Sequence, residues 1–128
     1  MTRILIVEDN ELNRDMLGRR LSRRGYDIST VENGQKALDF LNENLVDLIV
    51  MDMRMPVMDG WIATEKIKAN ELTKDLPIIG LSANAMQEDK EKALKAGCCE
   101  YETKPVDFSR LVGLIEQYCT PKIGLAGS

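Results

Sequence analysis

Residues 46–60 read Val-Asp-Leu-Ile-Val-Met-Asp-Met-Arg-Met-Pro-Val-Met-Asp-Gly. The run Val46 to Met51 is of strand length and, Asp47 apart, apolar throughout, where a strand with one wet face would alternate. Such a run suits a parallel strand covered on both sides, and it stops on Asp52. Pro56 and Gly60 then shape a loop before the next helical stretch. The same design recurs outward along the chain. Strands are expected at Arg3 to Val7, Tyr26 to Val31, Val46 to Met51, Pro77 to Leu81 and Cys99 to Glu102, with one helix-length amphipathic segment after each. Leu12, Met16, Leu17 and Leu21 are read as one buried stripe of the first helix, and Phe108, Leu111, Val112, Ile115 and Cys119 as that of the last. Single-helix crossovers are right-handed, so the expected fold is α/β, a doubly wound five-stranded parallel sheet with helices on both faces. Ligands of such sheets bind beyond the carboxyl ends of the strands, near the point where strand order reverses.

The 128 residues suit one domain, and 44% apolar with 30% charged residues is the balance of a globular chain that folds in water. A net charge of −4 argues against nucleic acid as a direct partner. Arg19, Arg20, Arg23 and Arg24 are read as a solvated helix face. The apolar run of the first strand is too short for an export signal, and no membrane-spanning run is visible. Three cysteines, with Cys98 and Cys99 adjacent, do not make a disulfide framework, which points to a reducing cytoplasm. The chain has no histidine, so a zinc set, a histidine-based triad and a phosphohistidine of its own are excluded.

Chemistry concentrates at the strand ends. Glu8 and Asp9 follow the first strand, Asp52 ends the third, Ser82 ends the fourth, and Lys104 and Pro105 follow the fifth. Singly these are ordinary: Asp9 or Asn10 suits a helix cap, and Asp52 a turn. Together, three carboxylates at one edge repel one another unless protonated or bridged by a cation. A hard divalent ion resolves the repulsion, and magnesium suits a site with a few carboxylates and phosphate oxygens.

In order along the chain, Val7-Glu8-Asp9-Asn10, Asp52-Met53-Arg54-Met55-Pro56-Val57-Met58-Asp59-Gly60, Leu81-Ser82-Ala83 and Tyr101-Glu102-Thr103-Lys104-Pro105 resemble the motifs of response-regulator receiver domains of two-component signalling, the CheY-like superfamily. The likeness runs from Met1 to about Cys119. It implies a flavodoxin-like (βα)5 fold with strand order 2-1-3-4-5, a receiver domain over 1–120 and a flexible tail at 121–128. It also implies a phosphoacceptor rather than an enzyme in the ordinary sense, with magnesium-dependent autophosphorylation and autodephosphorylation. Asp52 would take the phosphoryl group; Glu8, Asp9, Asp52 and the backbone carbonyl of Arg54 would hold Mg2+ or Mn2+; and Lys104 and Ser82 would contact the phosphoryl oxygens. Ser82 and Tyr101 would form the switch, Tyr101 rotating inward, with Lys104-Pro105 in cis. The output surface would comprise the fourth helix, the fifth strand and the last helix. The donor would be a sensor histidine kinase or a histidine phosphotransfer protein.

Three other readings fit less well. A receiver-like interaction module that is never phosphorylated would have lost a key residue, and none is lost. A magnesium-dependent phosphatase with an aspartate nucleophile needs a second Asp where Arg54 stands. A flavin-binding relative would want a glycine- and hydroxyl-rich loop where Glu8-Asp9-Asn10-Glu11 would repel phosphate. Arg54 and Asn84 occupy the family's variable positions, where Arg54 would pair with a phosphoryl group or with Asn84 or point into solvent, and phosphoryl lifetime is left open. The segment Ala83 to Ala96 has the poorest apolar stripe, with Ala85, Met86, Ala93 and Leu94 as its expected anchors and marginal docking as the consequence. The methionines around Asp52 and Trp61 are read as packing.

Overall fold

The computed structural model describes residues 1–84 and 86–119. Ten elements alternate along the chain: β1 (Arg3–Val7), α1 (Glu11–Arg23), β2 (Asp27–Val31), α2 (Gly34–Glu43), β3 (Leu48–Asp52), α3 (Gly60–Ala69), β4 (Ile78–Ser82), α4 (Gln87–Ala96), β5 (Glu100–Thr103) and α5 (Phe108–Cys119). The strands form one parallel sheet in the order β2-β1-β3-β4-β5, the order the resemblance implied. The sequence places strand boundaries within two residues of these, and Asp52 and Ser82 are the last residues of their strands. The tail expected at 121–128 and the anchor Ala85 lie outside the described residues.

The period of two along the strands divides the core. Leu5, Val7, Ile49 and Met51 face one side, with Ala37 of α2, Trp61, Ala63 and Ile67 of α3, and Ala93 of α4. Ile4, Ile6, Leu48 and Val50 face the other, with Leu17 and Leu21 of α1 and Leu111, Val112 and Ile115 of α5. Every residue of β3 and β4 is buried, which explains why their sequences read as continuous apolar runs. Each fully buried Ile or Leu contributes about 1.5–3 kcal/mol. Polar residues start the helices. Asn10, Asn33 and Asp59 accept from the backbone N–H three residues on, capping α1, α2 and α3.

Two expectations about helix faces are corrected. Leu12 and Met16 are not part of the buried stripe of α1; they are 79% and 40% exposed, while Leu17 and Leu21 are buried. At 3.6 residues per turn, Leu17 stands about 140° around the helix from Leu12, so the four leucine and methionine positions form two stripes. In α4 the buried anchors are Ala93 and Ala96, whereas Met86 and Leu94 are exposed. The buried apolar anchors of the helix are therefore small side chains, in keeping with the expected marginal docking. Among the described residues, no helix is long and apolar enough to cross a membrane.

Candidate phosphoacceptor site

The carboxyl ends of β1, β3 and β4 and the start of the β5–α5 loop converge on one edge of the sheet. β1 delivers Glu8, whose backbone N–H donates to the Val31 carbonyl at the end of β2 (3.1 Å) and whose side chain is buried. Its Oε2 accepts from the Asn10 N–H (3.1 Å), and Arg14, one turn into α1, donates to the Glu8 carbonyl (3.0 Å). Asp9 beside it is exposed. β3 delivers Asp52, 3% exposed. Carboxylate oxygens of Glu8, Asp9 and Asp52 lie within 4.8 Å of one another.

Lys104 reaches the cluster from beyond β5. The Lys104-Pro105 peptide is cis, as the resemblance implied, and the Lys104 N–H donates to the Ser82 carbonyl (2.8 Å). Its Nζ lies 2.8 Å from Glu8 Oε1 and 3.4 Å from Asp52 Oδ2. The Lys104 ammonium is the charged neighbour of the buried Glu8 Oε1. One ammonium thus faces two buried carboxylates, with a third acid alongside.

The electrostatics follow from that imbalance. Burial first, and the Glu8 charge second, push the Asp52 carboxyl up from 3.8 to about 7, with Lys104 opposing them. For Lys104 the order of effects differs: burial alone would lower its pKa, yet the Glu8 and Asp52 carboxylates outweigh it and hold the ammonium above its ordinary range. Three clustered carboxylates with one ammonium between them, and an Asp52 pushed upward by burial and by Glu8, fit a divalent cation. Such an ion would offset the excess negative charge and favour the ionised form of Asp52.

The surrounding loops explain why the geometry holds. Gly60 packs its backbone on the end of β3: its N–H donates to the Met53 carbonyl (2.8 Å), and a Cβ there would lie 2.7 Å from Met53 Cα and against the Asp52 carbonyl. Only glycine permits that approach. Ser82 is fully buried, and its Oγ accepts from the Asn84 N–H (3.1 Å), leaving its own hydrogen free to donate. Tyr101 stands apart from the carboxylates. Its ring is packed inward, and its hydroxyl donates to the Asn84 carbonyl (2.6 Å).

Glu8, Asp9, Asp52 and Lys104 are therefore brought together, Ser82 lies next to them on β4, and Tyr101 connects through Asn84. The Arg54 side chain points instead to α4, 3.3 Å from Asp89 Oδ2. Sequence reasoning missed Arg14 and Asp89. For Arg14 a signal existed, because a residue four past the Asn10 cap lies back over the preceding turn. For Asp89 there was none, since its partner is 35 residues away.

Comparison with known proteins places this geometry. The response regulator receiver domain family matches residues 4–116. Hybrid signal transduction histidine kinase I of Dictyostelium discoideum is 40% identical over 126 residues, covering 91% of this chain, which spans only 7% of that kinase. The crystal structure of the receiver domain of sensor histidine kinase PA1611 from Pseudomonas aeruginosa PAO1, with a magnesium ion coordinated in its active site cleft, is 37% identical. It superposes with a TM-score of 0.87 over 94% of this chain and 98% of its own. The receiver domain of the Saccharomyces cerevisiae response regulator Ssk1, crystallised with the histidine phosphotransfer protein Ypd1, is 34% identical. Its TM-score is 0.86 over 92% of this chain and 88% of that one. Motifs, strand order and the carboxylate–lysine cluster all agree with this match, and the chain belongs to the response regulator receiver domain family of two-component signalling.

Proposed function

We propose that Asp52 accepts a phosphoryl group from a phosphohistidine on a sensor kinase or a phosphotransfer protein. The observation that carries the reading is a buried Asp52 beside the Glu8 and Asp9 carboxylates with the Lys104 ammonium 3.4 Å away. Glu8, Asp9, Asp52 and the backbone carbonyl of Arg54 would hold Mg2+, or Mn2+ in its place. When bound, that ion supplies positive charge to the transferring phosphoryl oxygens and favours the ionised form of Asp52.

This chain's own residues do the rest. An ionised Asp52 oxygen attacks phosphorus; an O–P bond forms, the P–N bond to the donor imidazole breaks, and the electron pair leaves with the imidazole. Lys104 Nζ donates to the phosphoryl oxygens and offsets their charge, and the free Ser82 hydrogen donates to another. Drawing Ser82 toward the phosphoryl group pulls on Asn84, and through the 2.6 Å bond on Tyr101, so the displacement reaches β5. Tyr101 is inward in this structure, so its inward rotation on phosphorylation would end in this Ser82–Asn84–Tyr101 arrangement. Output then passes through the surface of α4, β5 and α5 to a protein partner. The three free cysteines suit a reducing cytoplasm.

Intact mass after incubation with magnesium and a small acyl phosphate tests the reading. A single phosphoryl increment is expected, absent in Asp52→Asn and in metal-free controls. No increment would favour a receiver-like interaction module that is never phosphorylated.

A further inference from the structure

A cluster that the proposed chemistry leaves unused joins the loop after Asp52 to α4. Arg54 stands two residues past Asp52, a tether of at most about 7 Å. Its guanidinium makes one long contact, 3.3 Å, to Asp89 Oδ2 in the first turn of α4. It also stands 5.1 Å from the centre of the Trp61 ring, over which Lys92 of α4 sits at 4.0 Å. Trp61 is in the first turn of α3 and is nearly buried. Arg54 therefore touches both helices flanking the site, through an anion on one and an aromatic face on the other.

The balance of α4 gives this contact weight. Met86 precedes the helix without a side-chain cap, and only Ala93 and Ala96 are buried. Asp89 is only 15% exposed and carries its negative charge near the positive end of the helix, where Arg54 is its cationic partner. A helix held by two alanines is sensitive to the loss of one such tie.

We infer that Asp89 is a positioning residue for the phosphoacceptor site: it holds Arg54 on α4 until a phosphoryl group on Asp52 competes for the guanidinium. A phosphoryl group adds close to two negative charges and three strong acceptor oxygens, and guanidinium binds such a group through two parallel bonds where Asp89 receives one. Phosphorylation then draws Arg54 away from Asp89 and Trp61, and α4 loses its tie to the site. The inference rests on Asp52 as phosphoacceptor, and its test separates the two claims.

Wild type, Arg54→Gln, Asp89→Asn and the double variant are incubated with magnesium and a small acyl phosphate, and occupancy is read by intact mass. Amide exchange of Gln87–Ala96 and emission of Trp61, the sole tryptophan, are compared with and without donor at matched occupancy. In wild type, donor should speed α4 exchange roughly twofold to fivefold, the range of one exposed ion pair, and shift Trp61 emission. Both single variants should exchange at the faster rate without donor, gain nothing further from it, and equal the double variant. Variants that respond to donor like wild type, or substitutions whose effects add, would overturn the inference while leaving Asp52 as acceptor. Failure of wild type to gain mass would remove both.

Discussion

β3 and α4 are the extremes of this fold. β3 is buried at every residue, lies between β1 and β4, and ends in the carboxyl that the whole site surrounds. α4 has two buried alanines, no side-chain cap at its start, and an exposed leucine in its last turns. The contrast suits the proposed switch. Charge that is costly to bury sits on the strand buried at every residue, and the helix with few buried side chains is the element a switch would move most cheaply.

The largest effect should separate the two elements directly. Ile49→Ala removes a fully buried side chain of β3 and should cost about 2–5 kcal/mol in urea unfolding. Leu94→Ala in α4, at a position 41% exposed, should cost less than about 1 kcal/mol. Similar losses would break the comparison.

Next in size is the charge stored at the end of β3. Asp52 is raised from 3.8 to about 7 in the folded chain, so at intermediate pH it keeps a proton that the unfolded chain has lost. Its contribution to metal-free stability is fully present below 3.8 and is lost as the pH rises through about 7. Asp52→Asn should therefore raise metal-free stability at neutral pH by about 2 kcal/mol and flatten this slope, which thermal melts across pH would detect. Magnesium at a hundred times its Kd should add about 2.7 kcal/mol to wild type, and much less to Asp52→Asn. A wild-type melt that ignores both pH and magnesium would contradict the electrostatic account.

The smallest effect lies in the loop between β3 and α3. Val57 is 82% exposed with φ of 70°, a left-handed conformation that a β-branched residue adopts under strain. Val57→Gly should gain about 1 kcal/mol without altering adduct formation. A loss of stability would mean that the valine makes a compensating contact.

What the sequence made legible is local. A short strand-like run closing in polar or acidic residues is visible to the eye, and five such runs with their helices lead to the sheet, its site edge and Glu8, Asp9, Asp52, Ser82 and Lys104. What stayed hidden depends on angle or distance. Leu12 and Met16 look continuous with Leu17 and Leu21 until the helical angle is counted. The Arg54–Asp89 pair joins residues 35 apart with no pattern between them. The inward Tyr101 is set by the Asn84 carbonyl, a backbone atom whose position no side-chain motif records.

If the phosphoryl group goes to Asp52 and to no neighbouring acid, its position in the chain can be read directly. Borohydride reduction of the phosphorylated chain converts an acyl phosphate to an alcohol, which peptide mapping locates by residue. The account predicts reduction at position 52 alone, and reduction at Glu8, Asp9 or Asp59 instead would contradict it.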